Sequence, residues 1–326
     1  MAAAFQIALW LGVVLAGIAA MQVGASKICS LLDLLRARWA LPAATSGVFI
    51  GLATASPEIS VNVASVVLGW PDLGLGAALG SNVPALPLIF LVAYLSSRFA
   101  RKGAGATPAA QVKAEAVRVQ VLPYLLVVLL LGVLTLPPAW AGLQPLDGLL
   151  LMAAYGLYAA HAMWAQPRGS ASPLPQDLRW RVVVWMPVIA LGALASVVAS
   201  RRLIDLMGIS DLVGGIFVIG LLCALPESFA AWRLAGEQKT TMAVSGAVGD
   251  GIVSLTIALV PPALAGATVG NAAIYLINLV FLAGTLTLYI ALNHYRRGQE
   301  LELPRVSLLT GGYAVYLVAT IIVLNA

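Results

Sequence analysis

Two glutamates, one aspartate and a few hydroxyls stand in segments where a bilayer-crossing chain has least use for them. Glu58 follows Pro57 in GLATASPEISVNVASVVLGWPDLGLGAALGSNVPALPLIF, residues 51–90, a stretch apolar enough to cross a bilayer twice. Thr54 precedes it by one helical turn, and Ser81 follows beyond the Gly69-Trp70-Pro71-Asp72 turn. Glu58 lies about ten residues before that turn and Ser81 about nine after it, so at ~1.5 Å per residue they share a depth on adjacent antiparallel helices. Pro57 cannot donate to the carbonyl four residues back, which frees the carbonyl of Ala53. A free carbonyl at membrane depth is tolerated only where protein, water or an ion satisfies it. Carboxylate, hydroxyl and carbonyl oxygens are the ligands that hard cations such as calcium and sodium take. The chemistry on offer is therefore cation binding near the membrane centre.

Helices must hold these groups. The 326 residues are 61% hydrophobic and 10% charged, with a mean hydropathy of +0.97, and the apolar runs repeatedly reach the length of a bilayer crossing. The reading is an all-α polytopic membrane protein, and a soluble domain is excluded. Turns and charges divide it into ten transmembrane helices near residues 4–24, 41–68, 73–96, 119–138, 146–165, 182–202, 211–234, 241–264, 269–292 and 305–325. The N-terminus lacks a positive n-region and reads as a retained first helix, after which Lys27 to Arg38 can form an interfacial turn. Residues 98–118 read as a solvated cytoplasmic linker. A Pro/Ser-rich connector at 166–181 separates two five-helix halves, 1–165 and 182–326.

Sixteen of the eighteen Lys and Arg residues fall on one side of this layout, and only Arg201 and Arg202 on the other. The positive-inside rule then puts both termini outside, and in a bacterial host the membrane is the inner (plasma) membrane. Those loops explain the net charge of +5, which leaves no case for a nucleic-acid partner. The partners are the lipid bilayer and inorganic cations, and no protein partner can be inferred. Cys29 and Cys223 make no disulfide or zinc framework. His161 and His294 stand near span ends without cysteine or carboxylate at a metal-ligand spacing. The Gly-rich GLGLGAALG has no strand before it, so it is not a nucleotide loop. No cofactor is called for, and no enzyme constellation is present.

An internal repeat ties the two halves together. Gly51, Pro57, Glu58 and Gly80 recur as Gly220, Pro226, Glu227 and Gly249, all at an offset of 169 residues, within a second copy at 220–255. Five spans per half turn the second copy upside down, which makes an inverted repeat. In that architecture broken helices line a substrate site at the midplane, and one bundle moves against the other to alternate access.

ATASPE with LGSN in the first copy, and CALPE with VGDG in the second, resemble the α-repeats of the sodium/calcium exchanger family within the cation/calcium antiporter superfamily. The resemblance implies that the two Pro-Glu carboxylates, Glu58 and Glu227, bind the transported ions, with Thr54 before the first and Ser81 downstream. Where the family offers serine before Pro-Glu, this chain has Ala55 and Ala224, and its second-copy threonine position holds Cys223. The polar positions further downstream become Ala85 and Ser254, while Asp250 adds a third carboxylate. The implied metal-ligand set is Thr54, Glu58, Ser81, Glu227, Asp250 and Ser254. Asn62 divides between a supporting role and interhelical bonding, and Asn82 reads as structural.

These changes remove hydroxyl and amide oxygens that serve sodium. Three carboxylates in one low-dielectric pocket cannot all stay ionised without a cation, so the pocket can also hold a proton. The expected function is a secondary active cation antiporter that exports calcium or a similar divalent cation in exchange for sodium or protons. Two alternatives stand beside it: a cation channel that uses the same acids as a filter, and a degenerate family member that does not transport.

Overall fold

The computed structural model describes the chain apart from residues 1, 39–47, 49–50, 53, 105–111, 113, 138, 165–176, 295–300 and 326. Among the described residues the regular structure is helical: α1 (Ala2–Arg38), α2 (Ser56–Val67), α3 (Pro71–Ala104), α4 (Ala114–Thr135), α5 (Pro145–Trp164), α6 (Asp177–Met207), α7 (Asp211–Gly236), α8 (Thr240–Ser254), α9 (Ala272–His294) and α10 (Leu303–Leu324). Short turns at Ile257–Leu259 and Val260–Leu264 extend α8. Seven of these, α1, α3, α6, α7, α8 with its extension, α9 and α10, are long and apolar enough to cross a membrane. The chain is a polytopic integral membrane protein. α2, α4 and α5 occupy the other three segments read as spans.

Three stretches differ from the sequence reading, the first being 98–118, read as a linker: α3 runs into it as far as Ala104 and α4 starts inside it at Ala114. α1 does not turn at Lys27 but runs on to Arg38, because SKICSLLDLLRAR contains no Gly or Pro and is rich in good helix formers. The connector read at 166–181 lies outside the described residues as far as 176, and α6 starts inside it at Asp177.

α3 is the central helix, with 83% of its apolar window buried against 22% for α1 and α10. Lipid-facing helices need apolar surface only, whereas a central helix must let neighbours come close, and here glycine does so. A Cβ on Gly80 would stand 2.1 Å from the carbonyl oxygen of Ile216, and one on Gly215 would stand 2.3 Å from that of Leu73. Small residues let membrane helices touch along their backbones. α7 answers this contact by opening into a π-helical turn at Gly215–Gly220. We expect Gly80→Ala to destabilise the fold by about 1–3 kcal/mol through overpacking. Gly156→Ala, at a site with nothing within 4 Å, is the control. Thermal unfolding in detergent checks the pair, and equal melting temperatures would contradict the close approach.

The four glycines of the repeat meet in a crossed pattern. Gly51 lies on Gly249, and Gly220 lies on Gly80. α1 and α6 pack antiparallel, since Gly17 meets Gly192 and Ser196 while Gly24 meets Ile189 and Trp185.

At the end of the bundle that carries Arg201 and Arg202, the α2–α3 turn is tied to the second half. Asp72 accepts hydrogen bonds from Thr268 N at 2.6 Å and Thr268 Oγ1 at 2.7 Å. Arg201 pairs with Asp205 at 3.1 Å and with Asp211, and its guanidinium lies 5.8 Å from the centre of the Trp70 ring. An isolated bridge between Gly142 and Thr268 adds Leu143 N to Ala267 O at 2.7 Å and Val269 N to Ala141 O at 2.8 Å.

Candidate cation site

Three helices deliver three acids to one place. α2 begins one residue before Pro57, so the proline stands in the first turn, where a missing N–H is no loss. The helix is thereby broken just ahead of Glu58. Ala55 N donates to Gly51 O and Ile59 N to Ala55 O, both at 2.9 Å, so bonding resumes on either side of the break. Ala53, whose carbonyl the sequence reading frees, lies outside the described residues. Glu227 comes from α7, about two turns beyond its π-helical turn, and Asp250 comes from α8 between two glycines.

One carboxylate oxygen from each of Glu58, Glu227 and Asp250 lies within 4.8 Å of the other two. Glu58 and Asp250 are 4% and 3% exposed, and Glu227 is half-buried. Asp250 faces Glu227, Thr54 and Ser254. Among the described residues, Glu58 Oε2, Glu227 Oε1, Asp250 Oδ1 and Ser254 Oγ are buried without a hydrogen-bond partner.

Each unpaired buried polar atom costs about 1–3 kcal/mol. At an effective dielectric near 20, two full charges 4.8 Å apart repel by about 3.5 kcal/mol. A hard cation relieves both penalties. A point central to three atoms no more than 4.8 Å apart lies at most about 2.8 Å from each, close to the ~2.3–2.6 Å of calcium–oxygen contacts.

The remaining residues singled out from sequence fall in three places. Thr54 donates to Gly51 O at 3.1 Å beside the cluster. Ser254 is fully buried there. Ser81 is turned toward its own helix, donating to Ala78 O at 3.2 Å and accepting from Asn82 Nδ2 at 3.5 Å. Asn62 braces the first acid from below, its Nδ2 donating to the Glu58 carbonyl at 2.9 Å. Cys223 is buried about one helical turn before Glu227 on α7.

Tyr124 was missed. It is buried on α4, outside the repeated stretches 51–90 and 220–255, and its hydroxyl donates to Asn82 Oδ1. Nothing in the run VLPYLLVVLLL separates it from a lipid-facing tyrosine.

A cavity of about 210 Å³ leads from Thr54, Glu227 and Asp250 to Arg233 and Met242 at the α7–α8 turn, with Gln22 of α1 on its wall. A membrane-embedded helical bundle whose buried carboxylates converge on one point, reached by a cavity from one end, is an ion-transport protein. Residues 9–164 match the family model described as "Sodium/calcium exchanger protein". That match, over just under half of the chain, makes it similar to the sodium/calcium exchanger family. Its members exchange ions and are not enzymes.

CaxA of Alkalimonas amylolytica is 26% identical over 260 residues, covering 74% of this chain and 76% of CaxA. Among solved structures, the sodium-calcium exchanger NCX_Mj soaked with 10 mM Na+ and 10 mM Sr2+ is similar with a TM-score of 0.65 at 18% identity, covering 96% of this chain and 98% of that one. The H+/Ca2+ exchanger CAX is similar with a TM-score of 0.64 at 14% identity, covering 99% of this chain and 87% of that one. At these identities the likeness is one of fold.

Proposed function

We propose that this protein is a secondary active antiporter that exports calcium or a similar divalent cation across a bacterial inner membrane by alternating access. Glu58, Glu227 and Asp250 bind the cation, and Thr54, Ser81 and Ser254 add neutral oxygens. The observation that carries this reading is the convergence of three carboxylates from α2, α7 and α8, two buried and one half-buried, on one point. Ionisable groups inside a membrane are costly, and those that persist there mark ion pathways.

The crossed glycine contacts support two inverted five-helix repeats. A two-fold axis that exchanges position 51 with 220 and 80 with 249 turns the contact Gly51–Gly249 into Gly220–Gly80, and both contacts occur. With ten spans and both termini outside, the basic α7–α8 turn lies in the cytoplasm. The cavity then opens inward, while the Asp72–Thr268 tie closes the outer end. One-sided access of this kind favours a carrier over a channel.

The neighbours named above are one sodium-calcium and one proton-calcium exchanger, with nearly equal TM-scores, so fold does not select the counter-ion. The residues favour protons: Ala55, Ala224, Cys223 and Ala85 replace groups that family members offer to sodium, and Asp250 gives a proton-accepting site. Calcium uptake into proteoliposomes, with sodium and pH gradients imposed separately, tests this. A pH gradient should drive uptake and a sodium gradient should add little. Full exchange on sodium alone at constant pH would replace the proton reading, and a high-rate conductance would replace the carrier.

A further inference from the structure

Positions 82 and 251 are equivalent under the 169-residue offset, yet they hold Asn82 and Gly251. Tyr124 stands between them. Its hydroxyl donates to Asn82 Oδ1, and a Cβ on Gly251 would lie 2.3 Å from the hydroxyl oxygen and 2.4 Å from the ring carbon that bears it. The tyrosine thus fills the space that any side chain at 251 would need. Glycine there is a requirement of the phenol.

The orientation of Asn82 is set from its other side, where Nδ2 donates to Ala78 O at 2.6 Å. Its carbonyl oxygen is therefore what meets Tyr124. A phenol has one proton, and this one is committed to Asn82. In every other direction the oxygen presents lone pairs. Gly251 directly follows Asp250 on α8, so the contact at position 251 sets the oxygen beside the segment that carries this acid, and an acceptor close to a carboxylate repels it unless a cation or a proton lies between. Tyr124 is 1% exposed, and packing fixes its ring, so the oxygen is pre-positioned and loses little freedom when a cation arrives.

We propose that Tyr124 supplies a further neutral oxygen to the cation site, standing where a second asparagine side chain would reach from position 251. This rests on the cation-site reading of Glu58, Glu227 and Asp250. It places a ligand on α4, outside the repeated stretches 51–90 and 220–255, and makes the site asymmetric where those stretches alone would make it two-fold.

Calcium titration by calorimetry of the detergent-solubilised full chain tests it, on the wild type, Tyr124→Phe, Asn82→Ala and the double variant. Phe keeps the ring and removes the oxygen. Tyr124→Phe should raise the calcium dissociation constant about tenfold, while the calcium-free melting temperature falls modestly because Asn82 Oδ1 loses its donor. The double variant should bind more weakly than Asn82→Ala alone. Wild-type affinity in Tyr124→Phe overturns the assignment. So does a loss that Asn82→Ala fully reproduces with nothing added in the double variant, because the tyrosine would then act by positioning Asn82. Should the Phe variant not fold, Gly251→Ala displaces the same oxygen from the opposite side, and unchanged affinity there is equally fatal. A wild type that binds no calcium removes the underlying site as well, whereas a binding wild type with an indifferent Phe variant removes Tyr124 alone.

Discussion

Glu58→Gln and Glu227→Gln each abolish divalent transport while the protein still folds. The amide keeps the shape of the side chain and removes its charge. Removing one partner of a buried charged set costs about 2–5 kcal/mol of binding, or roughly 30-fold to several thousand-fold in affinity, enough to empty the site at working concentrations. Stability should move the other way. Without a cation the three acids repel one another across 4.8 Å or less, so neutralising one of them raises the calcium-free melting temperature or leaves it unchanged. The two readouts together, isotope uptake into proteoliposomes and thermal unfolding, separate a lost ligand from a damaged fold. Wild-type uptake by either variant would mean that these carboxylates do not hold the transported ion.

The second large effect concerns pH. Protons and the divalent cation compete for the same carboxylate oxygens, so binding the cation releases protons. Linkage fixes the sign: lowering the pH shifts the equilibrium away from the cation-bound form, and affinity falls. Each proton released makes the dissociation constant change by about tenfold per pH unit. Asp250→Asn removes one titrating group from the cluster, so its affinity-versus-pH line should be shallower by about one proton, a tenfold smaller change per unit. Calcium titrations of both proteins over a pH series measure the two slopes directly. Identical slopes, combined with full exchange on a sodium gradient alone, would return the protein to sodium exchange with a reduced ligand set.

The sequence was most legible where physics leaves little choice. Glu58 and Glu227 stood out because a carboxylate inside an apolar run is costly, and because Pro-Glu recurs at a fixed offset with its glycines. The long spans were legible for the same reason, since hydropathy and helix length answer to one bilayer thickness. What stayed hidden depended on azimuth and on neighbours. Rise per residue put Ser81 at the depth of Glu58 but could not say which way it points, and its hydroxyl turns back to Ala78. The π-helical turn at Gly215–Gly220 arises where α3 presses on α7, a contact that GGIFVIG does not announce. Tyr124 belongs to the site through Asn82 and Gly251, residues 42 positions before and 127 positions after it, and no local pattern encodes that meeting.

In the proposed carrier, the ties at the Arg201 end would act far from the ions, on the balance between orientations. Two hydrogen bonds from Thr268 to Asp72 and the Trp70–Arg201–Asp211 contact, at about 1 kcal/mol or less each for exposed groups, give a bias of ~2 kcal/mol toward the state in which that end is shut. An orientation disfavoured by that amount is populated roughly 3% of the time, and a cation arriving from its side sees a dissociation constant about 30-fold weaker than the intrinsic one. The ligands would be identical from both compartments, yet the protein would behave as a rectifier: sensitive to the compartment its cavity faces and nearly blind to the other. Directionality would then reside in an aspartate and an arginine at the surface, open to evolutionary adjustment without any change to the residues that hold the ion.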